Sequence, residues 1–223
     1  MPGPIAVAVV DSGAHVPHPH LPRIAGGIAF DLEGRASDDI TDRLGHGTAA
    51  AAAIHEKAPD ADLHIVKVFD RELATTVSTL VRAIDWAIDE GCRIVNLSLG
   101  TPHDFRRAEL EPAVARAVDA GVIVVSAQEH DDQLWYPGSI EGALGVVMDA
   151  SQPRGSVRGA IVDSGPVVVA SPFARPIPGV PPERNLNGIS FAVANVSGVL
   201  AARMTAHPEI RTAAEARDAL TLG

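Results

Sequence analysis

The stretch "IAVAVVDSG" (residues 5–13) decides how the chain is read. Its six leading apolar residues suit a strand covered on both faces, and the run stops at Asp11, Ser12 and Gly13. Short runs of the same kind recur at 63–68 (LHIVKV), 93–99 (RIVNLSL), 122–127 (VIVVSA), 144–148 (LGVVM) and 166–170 (PVVVA). Helical patterns lie between them. Val77, Leu80, Val81, Ile84 and Ile88 share one helical stripe that ends at Gly91, and a second helix is expected from near Pro112 to Gly121. Strands alternating with helices predict an α/β fold built on a mostly parallel sheet.

A chain of 223 residues that is 46% hydrophobic is expected to form one domain over residues 1–223. The N-terminus lacks a charged start and a long apolar run, so neither a signal peptide nor a membrane span is expected, nor a prodomain, since the first strand begins at residue 5. A single cysteine, Cys92, allows no internal disulfide and reads as a small buried residue; a cytoplasmic location follows as the default. The formal charge of −10 opposes binding to a nucleic acid. No cofactor is expected. The acidic cluster Asp38, Asp39 and Asp42 reads as a solvated loop face, and His15, His18 and His20 are not expected to bind a metal.

Reactive groups in an open parallel sheet gather where strands end and helices begin. Asp11 closes the first strand, His46 lies in "GHGTAAAAAI" (45–54), and Ser190 opens a helix in "NGISFAVANVSG" (187–198), fed by the proline-rich loop 172–187. Taken singly, Asp11 can be a turn former, His46 a helix cap and Ser190 an N-cap. Taken together, they supply a hydroxyl nucleophile, an imidazole to take its proton and a carboxylate to fix the imidazole.

The order Asp, His, Ser along an α/β chain resembles that of the subtilisin-like serine proteases. "VAVVDSGAHVPHPHL" (7–21) is similar to the family's aspartate segment, "GHGTAAAAAI" to its His-Gly-Thr segment, and "NGISFAVANVSGVLAARMTAHP" (187–208) to its Gly-Thr-Ser segment and following helix. "VNLSLG" (95–100) resembles the edge strand that pairs with substrate, and "GVIVVSAQEHDDQLWYPGS" (121–139) the strand and loop carrying the oxyanion asparagine. The resemblance implies a three-layer subtilisin-like fold and a serine endopeptidase with Asp11, His46 and Ser190 as its catalytic residues.

Gln128 stands where the resemblance places the oxyanion asparagine, and Ile189 replaces the threonine before the nucleophile. Ser98, Leu99 and Gly100 are the expected substrate contacts, with Asp70, Glu72 and Glu129 as an acidic rim that suits a basic or extended segment of a dedicated protein substrate. The implied partner is a protein or peptide precursor whose leader is removed, as for the small cross-linked subunit of quinohemoprotein amine dehydrogenase. The alternative is an impaired subtilase-like module that escorts a partner protein.

Overall fold

The computed structural model describes residues 3–221. Its strands are β1 (Ala6–Asp11), β2 (Gly26–Phe30), β3 (Ala36–Ser37), β4 (Asp62–Lys67), β5 (Ile94–Leu97), β6 (Ile123–Ala127), β7 (Glu129–His130), β8 (Gln133–Leu134), β9 (Leu144–Met148), β10 (Val157–Val162) and β11 (Gly165–Ala170). The helices are α1 (His46–Lys57), α2 (Val77–Asp89), α3 (Arg107–Asp119), α4 (Ile189–Ala206) and α5 (Ala213–Thr221). All six apolar runs of the sequence are strands. They lie in one nine-stranded sheet of order β10-β11-β9-β6-β5-β1-β4-β2-β3. Only its outermost strands, β10 and β3, run antiparallel to their neighbours.

Helices cover both faces, which accounts for strands that are apolar on both sides. On one face α1 and α4 pack together over Val7, Val9, Ile65 and Val125, and α5 joins them; on the other, α2 and α3 cover Ala8, Val10, Val66 and Val95. α4 is long and apolar enough to pass as a membrane span by composition, but it is the central helix of the first face, with Phe191, Val193, Val196 and Leu200 buried. Gly198 lets α4 approach α1: a Cβ there would stand 3.1 Å from the Ile54 backbone.

The helix expected from Pro112 begins earlier, at Arg107, so Pro112 lies inside α3. Proline there removes only the amide that would reach back to Ala108, near the exposed start of the helix. The strand expected to be an edge, β5, is central, between β1 and β6. Only its extension beyond Leu97 leaves the sheet. After β1 the chain builds β2, β3 and β4 on one side of it, and it then crosses to β5 and β6 on the other. The carboxyl ends of β1 and β5 therefore open on a topological switch point, where such sheets form crevices. Cys92 is buried as expected, and burial pushes its thiol up to about 12.

Candidate active site

Asp11 is the last residue of β1 and is wholly buried. Its Oδ1 accepts the Ser12 backbone N–H at 2.7 Å and the His46 Nδ1–H at 2.7 Å. Gly45, in the left-handed region at φ 79°, turns the chain into α1, which makes His46 the first helical residue. Gly47 brings the helix hard against the Asp11 turn, since any Cβ there would collide with the Gly13 carbonyl. With Nδ1 held as the donor, Nε2 is the free acceptor of His46. Burial disfavours protonation of His46, but the Asp11 hydrogen bond and the charges of Asp11 and Asp42 outweigh it and raise its pKa above the usual 6.5.

Asp42 is not the solvated loop residue expected. Its Oδ1 accepts Ser12 Oγ–H at 2.8 Å and the Leu44 and Gly45 amides, while Oδ2 accepts the Thr48 amide at 2.9 Å and the Thr48 hydroxyl at 2.6 Å. Ser12 Oγ in turn accepts the Gly47 amide at 2.9 Å. These bonds satisfy orphan amides in the first turn of α1 and so fix His46. Burial would raise the Asp42 pKa, but the Thr48, Leu44 and Ser12 donors hold it below the usual carboxylate value. Asp39 does stay on the surface, paired with Arg43 at 2.7 Å, which lowers its pKa to about 2.

Ser190 is the second residue of α4, and Gly188 occupies the N-cap at φ 139°, so the N-cap reading of Ser190 fails. Its hydroxyl donates to the Ser98 carbonyl at 2.9 Å. Ser190 and His46 line one groove of about 820 Å³, although no hydrogen bond joins them. The Ser190 backbone amide, in the first turn of α4, has no acceptor among the described residues. Below the site, Ser197 Oγ donates to Asn96 Oδ1 at 2.9 Å and Asn96 Nδ2 donates to Ser98 Oγ at 2.7 Å. This buried chain ties α4 to the end of β5. Neither Asn96 nor Ser197 stands out in the sequence, where each sits in an ordinary apolar run.

Ser98, Leu99 and Gly100 line the same groove. The other expected contacts do not. Gln128 is corrected as the oxyanion donor: its amide donates to the Ser164 carbonyl at 3.0 Å and to Ser164 Oγ at 3.1 Å, and it borders a different hollow. A side chain at Gly145 on β9 would fill the space the Gln128 amide occupies. Glu129 accepts Ser164 Oγ–H at 2.8 Å and is likewise absent from the groove wall. Asp70 faces a separate hollow with Glu72, and its Oδ1 takes Arg43 at 2.8 Å and the buried Lys67 ammonium at 2.9 Å. Asp70, Glu72 and Glu129 therefore form no acidic rim on this groove, and a basic substrate draws no support from them. The ionisable groups on the groove wall besides His46 are His103, His130 and the Arg106–Glu109 pair. His15, His18 and His20 form no cluster able to hold a metal ion among the described residues.

The geometry thus combines a carboxylate-held imidazole, a helix-borne serine and a free amide at one crevice, an arrangement suited to acyl transfer. The thermostable alkaline protease of Halalkalibacterium halodurans is 33% identical over 221 residues, covering 91% of this chain and 57% of that protein. The major intracellular serine protease of Bacillus subtilis is 31% identical over 223 residues, covering 88% of this chain and 67% of that protein. The chain thus spans between about half and two thirds of the length of these curated relatives. Among solved structures, the prenylagaramide maturation protease PagA matches with a TM-score of 0.68 at 25% identity, covering 94% of this chain and 79% of that one. The subtilase family model matches residues 3–158, the part that holds Asp11 and His46, and the chain belongs to the subtilase family.

Proposed function

We propose that the protein is a serine endopeptidase of narrow specificity that removes the leader of a modified protein or peptide precursor, with residues 1–223 acting as one catalytic domain. The observation that carries the reading is the Asp11–His46 pair, held at 2.7 Å beside the groove that Ser190 lines. In the proposed reaction, Ser190 Oγ rotates from the Ser98 carbonyl to His46 Nε2. The oxygen then attacks the substrate carbonyl as His46 takes its proton. Asp11 fixes the tautomer and stabilises the imidazolium, and the Ser190 amide donates to the oxyanion. His46 returns the proton to the leaving amine, and water then cleaves the acyl-enzyme by the same route.

The processing role draws support from the likeness to the prenylagaramide maturation protease. The cytoplasmic location is supported by the relative named an intracellular protease and by an unpaired, buried Cys92. A second reading, an escort module, is favoured by the Ser190 hydroxyl being turned to Ser98 and by the loss of Gln128 as a donor. Fluorophosphonate labelling decides between them. Labelling of the wild type that Ser190→Ala abolishes supports the peptidase, whereas an unlabelled wild type supports the escort. Robust digestion of casein by the labelled enzyme would contradict the narrow specificity.

A further inference from the structure

Beyond the groove lies a second hollow, of about 490 Å³, between the histidine-rich loop and the proline-rich loop. It begins at Gly45, next to His46, and its far wall ends at Leu186, four residues before Ser190. The two hollows share no lining residue; along the chain Gly45 of the second precedes His46 of the groove, and Leu186 of the second precedes Ile189 and Ser190 of the groove. The second hollow is thus lined in part by residues that precede His46 and Ser190, whereas Ser98–Gly100 belong to the groove alone.

The hollow has its own chemistry. Its walls include Pro19, Ala49, Ala52 and Ala174, with Ile177 and Leu186 each 46% exposed. Large apolar side chains left in water beside a concave apolar wall lose solvent contact when an apolar group enters. Arg175 stands at the rim, where one guanidinium N–H donates to the His20 carbonyl at 3.0 Å. It makes no ion pair among the described residues. One carboxylate, Asp42, lies on the wall itself, with its oxygens taken up by Ser12, Thr48 and the amides at the start of α1, and Glu56 nearby is paired with Arg154 and Lys57. The other titratable groups on the wall, His15, His18 and His20, bring no negative charge. Burial first, then the charges of Arg175 and His18, lower the pKa of His20, against the opposing charge of Glu56.

We infer that this hollow binds the part of the substrate on the C-terminal side of the cut and selects a large apolar residue followed closely by an aspartate or glutamate, whose carboxylate pairs with Arg175. The inference rests on the proposed peptidase activity and adds the substrate class on that side. An arginine fork suits a carboxylate, and a hydrophobic contact alone discriminates weakly, so the acidic preference is the sharper signature.

The test is cleavage-site profiling with a proteome-derived peptide library, comparing the wild type with Arg175→Glu and Leu186→Ser. Both side chains lie on surface loops, and neither is part of the proton-transfer set. The expected result is enrichment of apolar and acidic residues within three positions after the cut. Arg175→Glu should reduce the acidic enrichment about tenfold in favour of lysine or arginine, and Leu186→Ser should weaken the apolar preference, with selection before the cut unchanged. No selection after the cut, or selection that Arg175→Glu leaves intact, overturns the inference. If the wild type cleaves no library peptide, fluorophosphonate labelling still decides the peptidase reading, and the hollow is tested separately by binding. The Ser190→Ala protein is titrated with a fluorescein-labelled hexapeptide carrying Leu-Glu and with its Leu-Lys counterpart. Tighter binding of the Leu-Glu peptide that Arg175→Glu abolishes supports the hollow, and equal affinities overturn it.

Discussion

The wholly buried carboxylate of Asp11 accepts the His46 Nδ1–H at 2.7 Å, and Asp42 adds a second negative charge behind the same helical turn. A histidine acts as a base only when neutral. Because the pKa of His46 is raised above 6.5, kcat/KM should rise with pH and reach half its plateau above pH 6.5. Asp42→Asn keeps the shape, removes one charge and should move that acid limb to lower pH. The same interactions stabilise the fold below pH 6.5, where His46 is protonated in both folded and unfolded chains, and this contribution fades as the pH rises through the folded value. Rate profiles and an NMR titration of the His46 ring check both statements; a wild-type limb below 6.5 contradicts them.

Gln128 provides a contrast. An oxyanion donor that is removed costs roughly 10²–10³ in turnover. The Gln128 amide is spent on Ser164, so Gln128→Ala should leave kcat within about threefold of the wild type, far from that loss. The cost should appear in stability instead, at about 1–3 kcal/mol, because the Ser164 carbonyl loses its donor and Gly145 provides no side chain to fill the space. Urea unfolding and steady-state kinetics on one preparation separate the two effects, and a hundredfold fall in kcat would restore Gln128 to the chemistry.

The difference between what was legible and what was not has a physical origin. The strand runs, the Asp11 turn and the glycine-edged His46 and Ser190 positions are local patterns, and a parallel sheet brings strand ends and helix starts to one side, so those residues meet. Gln128 failed by side-chain direction. Ala127 ends β6 on the groove wall, and in the bend that follows the Gln128 side chain turns away to Ser164. Asp42 looks in sequence like Asp38 and Asp39; only the fold brings Ser12 and Thr48 to it. Strands β2, β3 and β10 lie at or near the sheet edges, where partial exposure erases the apolar signal. Asn96 and Ser197 lie 101 residues apart, and no spacing rule reaches that far.

That Ser197–Asn96–Ser98 chain leads to a prediction of its own. Asn96 touches neither the proposed substrate nor the reacting atoms, but it holds Ser98, whose carbonyl receives the Ser190 hydroxyl and whose backbone lines the groove. Asn96→Ala should raise KM as well as lower kcat, with kcat/KM falling on the order of tenfold or more, because small displacements at a reacting centre are costly. Ser197→Ala should act in the same direction but more weakly, since the Asn96–Ser98 bond remains. Residues in one hydrogen-bonded chain do not act independently, so the double variant should lose less than the sum of the two. Full additivity would show that Asn96 and Ser197 act separately.

Gly47 tests whether the approach of α1 to the Asp11 turn is needed for the site and not only for the fold. A Cβ at this position meets the Gly13 carbonyl, the Gly13 nitrogen at 3.0 Å and the Ser12 nitrogen at 3.1 Å, all of them backbone atoms that cannot rotate away. Gly47→Ala gains helix propensity of about 1 kcal/mol, yet it must push α1 outward, and overpacking of this kind costs about 1–3 kcal/mol. The shift also lengthens the Asp11–His46 bond, because His46 is the preceding residue. Net destabilisation in urea should therefore accompany a lower His46 pKa, as its carboxylate partner recedes. The variant's acid limb should move to lower pH while its maximal kcat falls. If Gly47→Ala lowers stability but leaves the limb where it is in the wild type, the glycine serves packing alone and the Asp11–His46 geometry is set by the Asp42 network.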